Sequence, residues 1–184
     1  MKRLFVSIPL SIQMSEVFTA VQEKLQVIDG VFHSVAKSNL HLTLFFFGRV
    51  DNEKEKTIHA ILKRISSSYS SFEINLEGIG VFPSLKEVHT LWAGTKSKEI
   101  LDLMNLFKKE FPSFDKKNRK AVGHLTIARV KKINDPQSLL NFLEKYKEKS
   151  FGTMKVDQFV LYESALTAKG AIYREVESFE FKLA

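Results

Sequence analysis

Two His-Leu-Thr triplets stand 83 residues apart in this chain, one opening HLTLFFFG at 41–48 and the other opening HLTIAR at 124–129. Each heads an apolar run of strand length. Side chains of a strand alternate between two faces, so His41 and Thr43 share one face while Leu40, Leu42, Leu44 and Phe46 share the other. His124 and Thr126 are set against Leu125 and Ile127 in the same way. A strand with one apolar face has to lay that face on a core, so each triplet leaves an imidazole beside a hydroxyl on the uncovered side of a sheet. A single His-x-Thr reads as a hydrogen-bonded histidine at a strand end. Its repetition in a chain with only five histidines favours function. Strand parity also puts Phe45 on the His41 face, packing there or lining a base-binding surface. It puts Arg129 opposite His124, unless a twist or bulge at the strand end brings it round.

The rest of the chain alternates strand and helix patterns. A strand is expected over 3–9 and a helix over 12–28 with Val17, Val21, Leu25 and Ile28 at helical spacing. The first motif strand covers 39–47. Asp51 then has the form of an N-cap for a helix with Ile58, Ile61, Leu62 and Ile65 on one side. Phe72, Ile74 and Leu76 alternate as a strand does, EVHTLWAGT is another strand, and Phe82 to Lys86 make the turn between them. Ile100, Met104, Phe107 and Phe111 mark a further helix. Asp135-Pro136 is a helix start, with Leu139, Phe142, Leu143 and Tyr146 as its apolar side. Two terminal strands follow, 153–163 and 171–181, on either side of Gly170. Each motif strand follows a helix, so 1–184 reads as one unit of two similar lobes, with a shared cleft of the kind that binds ligands.

Composition narrows the chemistry. The chain has no cysteine, which removes disulfides, thiolate nucleophiles and cysteine-based zinc sites together. No apolar stretch approaches the roughly 20 residues of a membrane span, and MKRLFVSIPLSIQMSE reads as a first strand rather than a secretion signal. The expected protein is cytoplasmic, without a membrane partner, and a monomer. A net charge of +7 favours anionic partners, nucleic acid first among them. The basic run Lys116, Lys117, Arg119 and Lys120 is read as a solvated loop that could also attract an RNA backbone. Phe5, Tyr162 and Trp92 are expected to pack rather than stack on bases, and His59 and His89 to be structural.

Two facing histidines suit acid–base chemistry at phosphorus. Imidazole titrates near neutrality, so one ring can take a proton from water while the other protonates the departing oxygen. The threonine hydroxyls can donate to phosphoryl oxygens as charge grows on them. Alternatives are weaker. There is no Gly-x-Ser-x-Gly elbow and no phosphate-cradling P-loop, and neither motif brings a carboxylate that would complete a zinc site with the histidines.

NLHLTLFFFG and GHLTIAR resemble the paired His-x-Thr signatures of the 2H phosphoesterases. KRLFVSIPL near the start and LYESALTAKGAIY near the end resemble the RNA 2′,3′-cyclic phosphodiesterase (2′-5′ RNA ligase-like) branch of that superfamily. The resemblance implies an α/β (α+β) bilobal fold in which two antiparallel-rich sheets form a V-shaped cleft with the helices outside. It implies hydrolysis of 2′,3′-cyclic phosphates at RNA 3′ ends or on small cyclic nucleotides, leaving a 2′-phosphate, with no metal and no cofactor. In that scheme His41 is the proton donor, His124 is the proton acceptor, Thr43 and Thr126 hold the phosphate, and Arg129 contacts it. Several relatives have a tryptophan where this chain has FHSVAK at 32–37, and a small or basic residue where it has Phe45, departures that bear on nucleotide preference. The competing readings are a non-catalytic RNA- or nucleotide-binding module and a phosphodiesterase for another small cyclic phosphate.

Overall fold

Among the described residues, four side chains start four α-helices. The computed structural model describes residues 1–115, 120–167 and 170–182. Ser11 accepts the backbone N–H of Met14 and opens α1 (Ile12–Leu25), and Asp51 accepts that of Lys54 and opens α2 (Asn52–Ser66). Ser97 accepts from Ile100 at α3 (Lys98–Glu110), and Asp135 accepts from Ser138 at α4 (Pro136–Tyr146), where Pro136 fills the first turn. Each cap satisfies one of the N–H groups that a helix start leaves without an intrahelical partner. The apolar sides of α3 and α4 are buried at the spacings the sequence shows. In α1 the buried stripe is Met14, Phe18, Val21 and Leu25, and Val17 is exposed. Successive helical residues are about 100° apart, so burying the larger Phe18 turns Val17 toward solvent. The helix also ends at Leu25, short of the expected 28, and Ile28 is buried beyond it.

The strands are β1 (Lys2–Pro9), β2 (Gly30–Ser34), β3 (His41–Val50), β4 (Phe72–Ser84), β5 (Glu87–Gly94), β6 (His124–Ile133), β7 (Ser150–Val156), β8 (Gln158–Thr167) and β9 (Gly170–Glu180). They pair antiparallel in the order β7-β4-β5-β6-β3-β1-β8-β9, and β2 pairs with β6. The order splits into two halves of four strands, β7-β4-β5-β6 and β3-β1-β8-β9, each ending in a motif strand. Between them the sequence β1-α1-β3-α2 is matched by β5-α3-β6-α4. The two sheets expected from the sequence are these halves, and they join through one registered pair, Leu42 opposite Leu125. Both leucines are fully buried in the core beneath the helices.

Two strand readings are corrected. The single strand expected over 153–163 is β7 and β8, broken at Asp157 and sent to opposite halves of the sheet. The segment Gly30–Ser34, which the sequence reading left unassigned, is strand β2 laid along the far end of β6. Only pairing separates such segments from a loop or a longer strand, because both are local runs of mixed burial.

Candidate active site

The seam sets the site. In an antiparallel pair the residues on either side of a registered pair face each other in reverse order. With Leu42 opposite Leu125, His41 therefore comes opposite Thr126 and Thr43 opposite His124. The two imidazoles lie on the diagonal of this ladder, where cross-strand neighbours are about 7–8 Å apart. The leucines point to the helices, and the four polar side chains share the other face, each half-buried.

The two histidines are held alike. His41 Nδ1 donates to the carbonyl of Asn39 at 2.7 Å, and His124 Nδ1 donates to that of Val122 at 2.8 Å. A carbonyl only accepts, so Nδ1 carries the proton in each ring and Nε2 is the nitrogen free to gain or lose one. Burial pushes both imidazoles below the ordinary value near 6.5, and the carbonyl bonds partly offset it. A further charge acts on each: that of His124 disfavours a proton on His41, and that of the Arg129 guanidinium disfavours one on His124.

Aromatic rings frame both histidines. The Phe5 and Tyr173 rings lie 5.2 Å and 5.3 Å from His41, and Phe5 stacks on Tyr162. Phe82 stands edge-on to His124 at 5.0 Å and stacks with Trp92, itself 6.3 Å from His124. Phe5, Tyr162 and Trp92 do pack, as expected, but on the site face rather than in the helix-side core.

Beyond the threonines strand parity fails, for the same reason in both halves. Val6 pairs with Phe45 and Ser7 with Thr43, which leaves Leu44 as an extra residue in β3; Leu91 pairs with Ala128 and Trp92 with Thr126, which leaves Ile127 extra in β6. A bulge of one residue shifts the side-chain alternation by one. Leu44 and Phe45 are consequently both buried, as are Ile127 and Ala128. Phe45, expected on the His41 face, packs instead against Phe47, Phe107 and Phe111. Phe46, expected in the core, is 66% exposed on the site face beside Phe5. Arg129 comes round to the His124 face, where its guanidinium donates to Thr90 Oγ1 at 2.8 Å. Phe46 and Arg129 occupy equivalent positions, five residues after each histidine. His33, which the sequence reading left unassigned, lies opposite Arg129 in register and is exposed.

The remaining candidates lie elsewhere. His59 pairs with Glu177 and His89 with Glu87. Lys120 is exposed, and Lys116, Lys117 and Arg119 fall outside the described residues. Among the described residues no three His, Asp or Glu side chains gather as a cation site, and no helix is long and apolar enough to cross a membrane.

Comparison with known proteins gives this geometry a family. Residues 17–167 match the 2′-5′ RNA ligase superfamily. The chain is 33% identical over 180 residues to a protein of Archaeoglobus fulgidus named RNA 2′,3′-cyclic phosphodiesterase, covering 97% of this chain and 99% of that one. It is 32% identical to a protein of the same name from Aquifex aeolicus, covering 96% of each. Among solved structures, a Thermus thermophilus protein superposes with a TM-score of 0.83 at 24% identity over 97% of both chains. E. coli LigT complexed with 3′-AMP superposes with a TM-score of 0.73 at 23% identity over 98% of both, a likeness of fold. With two His-x-Thr strands joined back to back in one sheet, and a family match across most of its length, this chain belongs to the 2′-5′ RNA ligase superfamily.

Proposed function

We propose that this protein is an RNA 2′,3′-cyclic phosphodiesterase that hydrolyses terminal 2′,3′-cyclic phosphates to 2′-phosphates by proton transfer between His41 and His124, without a metal. The observation that carries the reading is the pair of Nδ1-anchored imidazoles on one face of the seam, each sharing that face with a threonine two residues on. The names of the relatives agree with it. In the reaction, His124 Nε2 takes a proton from water as the water oxygen bonds to phosphorus. His41 Nε2–H gives its proton to the 3′ oxygen as the P–O3′ bond breaks. Burial disfavours a proton on both rings, and the charges beside them are compatible with this assignment. Arg129 disfavours a proton on His124, and a neutral His124 no longer opposes one on His41. Thr43 and Thr126 donate to the non-bridging oxygens, and Arg129 adds positive charge for the phosphate.

The productive form has one protonated and one neutral imidazole, so kcat/KM is expected to be bell-shaped in pH. Both free-enzyme values are pushed down, which places the apex below about pH 6.5. The rate falls above it as the acid loses its proton, and below it as the base gains one. Bound phosphate stabilises an imidazolium, so the alkaline limb of kcat should lie at higher pH than that of kcat/KM. A flat profile from about pH 5 to 9 overturns the assignment.

Phe46 presents an open aromatic face beside the site, and stacking a base on such a face is worth about 1–3 kcal/mol. Phe46→Ala is expected to raise KM for 2′,3′-cyclic AMP several-fold with kcat little changed, and to leave a base-free cyclic phosphate unaffected. An equal change for both substrates would remove Phe46 from base binding. Both triplets lie on one chain, so the site needs no second copy. The protein is read as a cytoplasmic monomer, which gel filtration and cell fractionation check.

A further inference from the structure

Among the described residues only three buried side-chain polar atoms lack a hydrogen-bond partner: Ser7 Oγ, Trp92 Nε1 and the Tyr146 hydroxyl. Tyr146 belongs to α4 and packs with Phe142 and Phe151. The other two lie at matching places on the site face. Ser7 is the registered partner of Thr43 across β1 and β3, and Trp92 is the registered partner of Thr126 across β5 and β6. Opposed residues of an antiparallel pair share a face, with Cβ atoms about 4.5–5.5 Å apart. The ring contacts agree, since Phe5, two residues from Ser7, lies against His41, and Trp92 lies against His124. Ser7 is completely buried and cannot reach a ligand itself. Trp92 differs, because its ring lies over Gly80 of β4, where a Cβ would come within 2.7 Å of the ring carbon that carries Nε1, and its N–H is held on the side of β5 away from Thr126.

We propose that Ser7 is a positioning residue for Thr43, its Oγ–H donating to Thr43 Oγ1 when the threonine donates to the phosphate. A hydroxyl has one proton to give and two lone pairs. A donor on one lone pair orients the O–H away from itself and polarises it, which strengthens the bond the threonine makes to a phosphoryl oxygen. Cross-strand Thr–Ser pairs make such bonds. A buried donor left unpaired destabilises the fold, so a residue kept only for packing at Ser7 would be better as alanine.

The inference rests on the reading of Thr43 as a phosphate-holding group, and one set of variants separates the two. Ser7→Ala, Thr43→Val and the double Ser7→Ala/Thr43→Val are assayed on 2′,3′-cyclic CMP, and each melting temperature is measured. Ser7→Ala is expected to lower kcat about tenfold, the worth of one lost hydrogen bond in the transition state. It should not lower the melting temperature, since it removes an unpaired buried donor. In the Thr43→Val background the same substitution should cost nothing further, because its only target is gone. A packing role predicts a lower melting temperature and the same kcat factor in both backgrounds, and that result overturns the proposal, as does unchanged kcat in Ser7→Ala. If Thr43→Val is itself silent, the phosphate-holding reading fails and takes this inference with it. If it is costly while Ser7→Ala is silent, only the positioning role fails.

Discussion

His41→Ala and His124→Ala are each expected to lower kcat on a 2′,3′-cyclic nucleotide by about 10²–10⁴-fold, the usual worth of a positioned acid or base. Both rings are anchored by a backbone carbonyl and framed by aromatic side chains, and both lie on the site face of the sheet rather than in the core beneath the helices. The melting temperatures should therefore stay close to that of the unmodified protein. In the proposed mechanism the two groups act in one proton-transfer cycle, so the double variant should lose little more than the worse single one, as residues that act as a unit do. Activity should survive EDTA. Retention of full turnover in either single variant would end the paired acid–base mechanism. Loss of turnover on EDTA treatment, restored by a divalent cation, would replace it with a metal-assisted one.

Leu42→Ala and Leu125→Ala are expected to give the largest losses of stability, about 2–5 kcal/mol each. These leucines are at most 1% exposed and form the one registered pair through which β3 and β6, and hence the two halves of the sheet, are joined. A cavity here opens at the seam, where few neighbouring ladder bonds help it to collapse. The pair also sets the diagonal between His41 and His124, so the folded fraction of each variant should lose kcat although neither leucine touches substrate. Chemical denaturation followed by circular dichroism reads the first effect, and turnover per folded molecule reads the second. A loss below about 1 kcal/mol would show that other contacts hold the halves together. A double Leu42→Ala/Leu125→Ala variant should show strong coupling, since the residues are in contact across one seam.

Much of this was legible in the residue order. The helix starts follow from Ser11, Asp51, Ser97 and Asp135, because a cap is a contact within one turn of chain. The histidine and threonine of each triplet fall on one face because strand alternation is local. What escaped was whatever depends on a second strand. Parity applied along β3 and β6 misplaced Phe45, Phe46 and Arg129 because each strand carries an extra residue, at Leu44 and Ile127, that has no mark in its own sequence and exists only against the neighbouring strand. Strand β2 and the break at Asp157 were missed for the same reason.

By itself, then, the sequence determined the helices, the existence of two similar motif strands, and the imidazole and hydroxyl that each presents. The tertiary structure alone decided that the strands meet at Leu42 and Leu125, that two bulges bring Arg129 and Phe46 round to the histidines, and that Ser7 and Trp92 lie beside the threonines. The division has a physical basis. Capping and alternation are set by a few covalently adjacent residues, whereas register, bulges and cross-strand neighbours belong to pairs of strands and come into being only when the chain has closed its sheet.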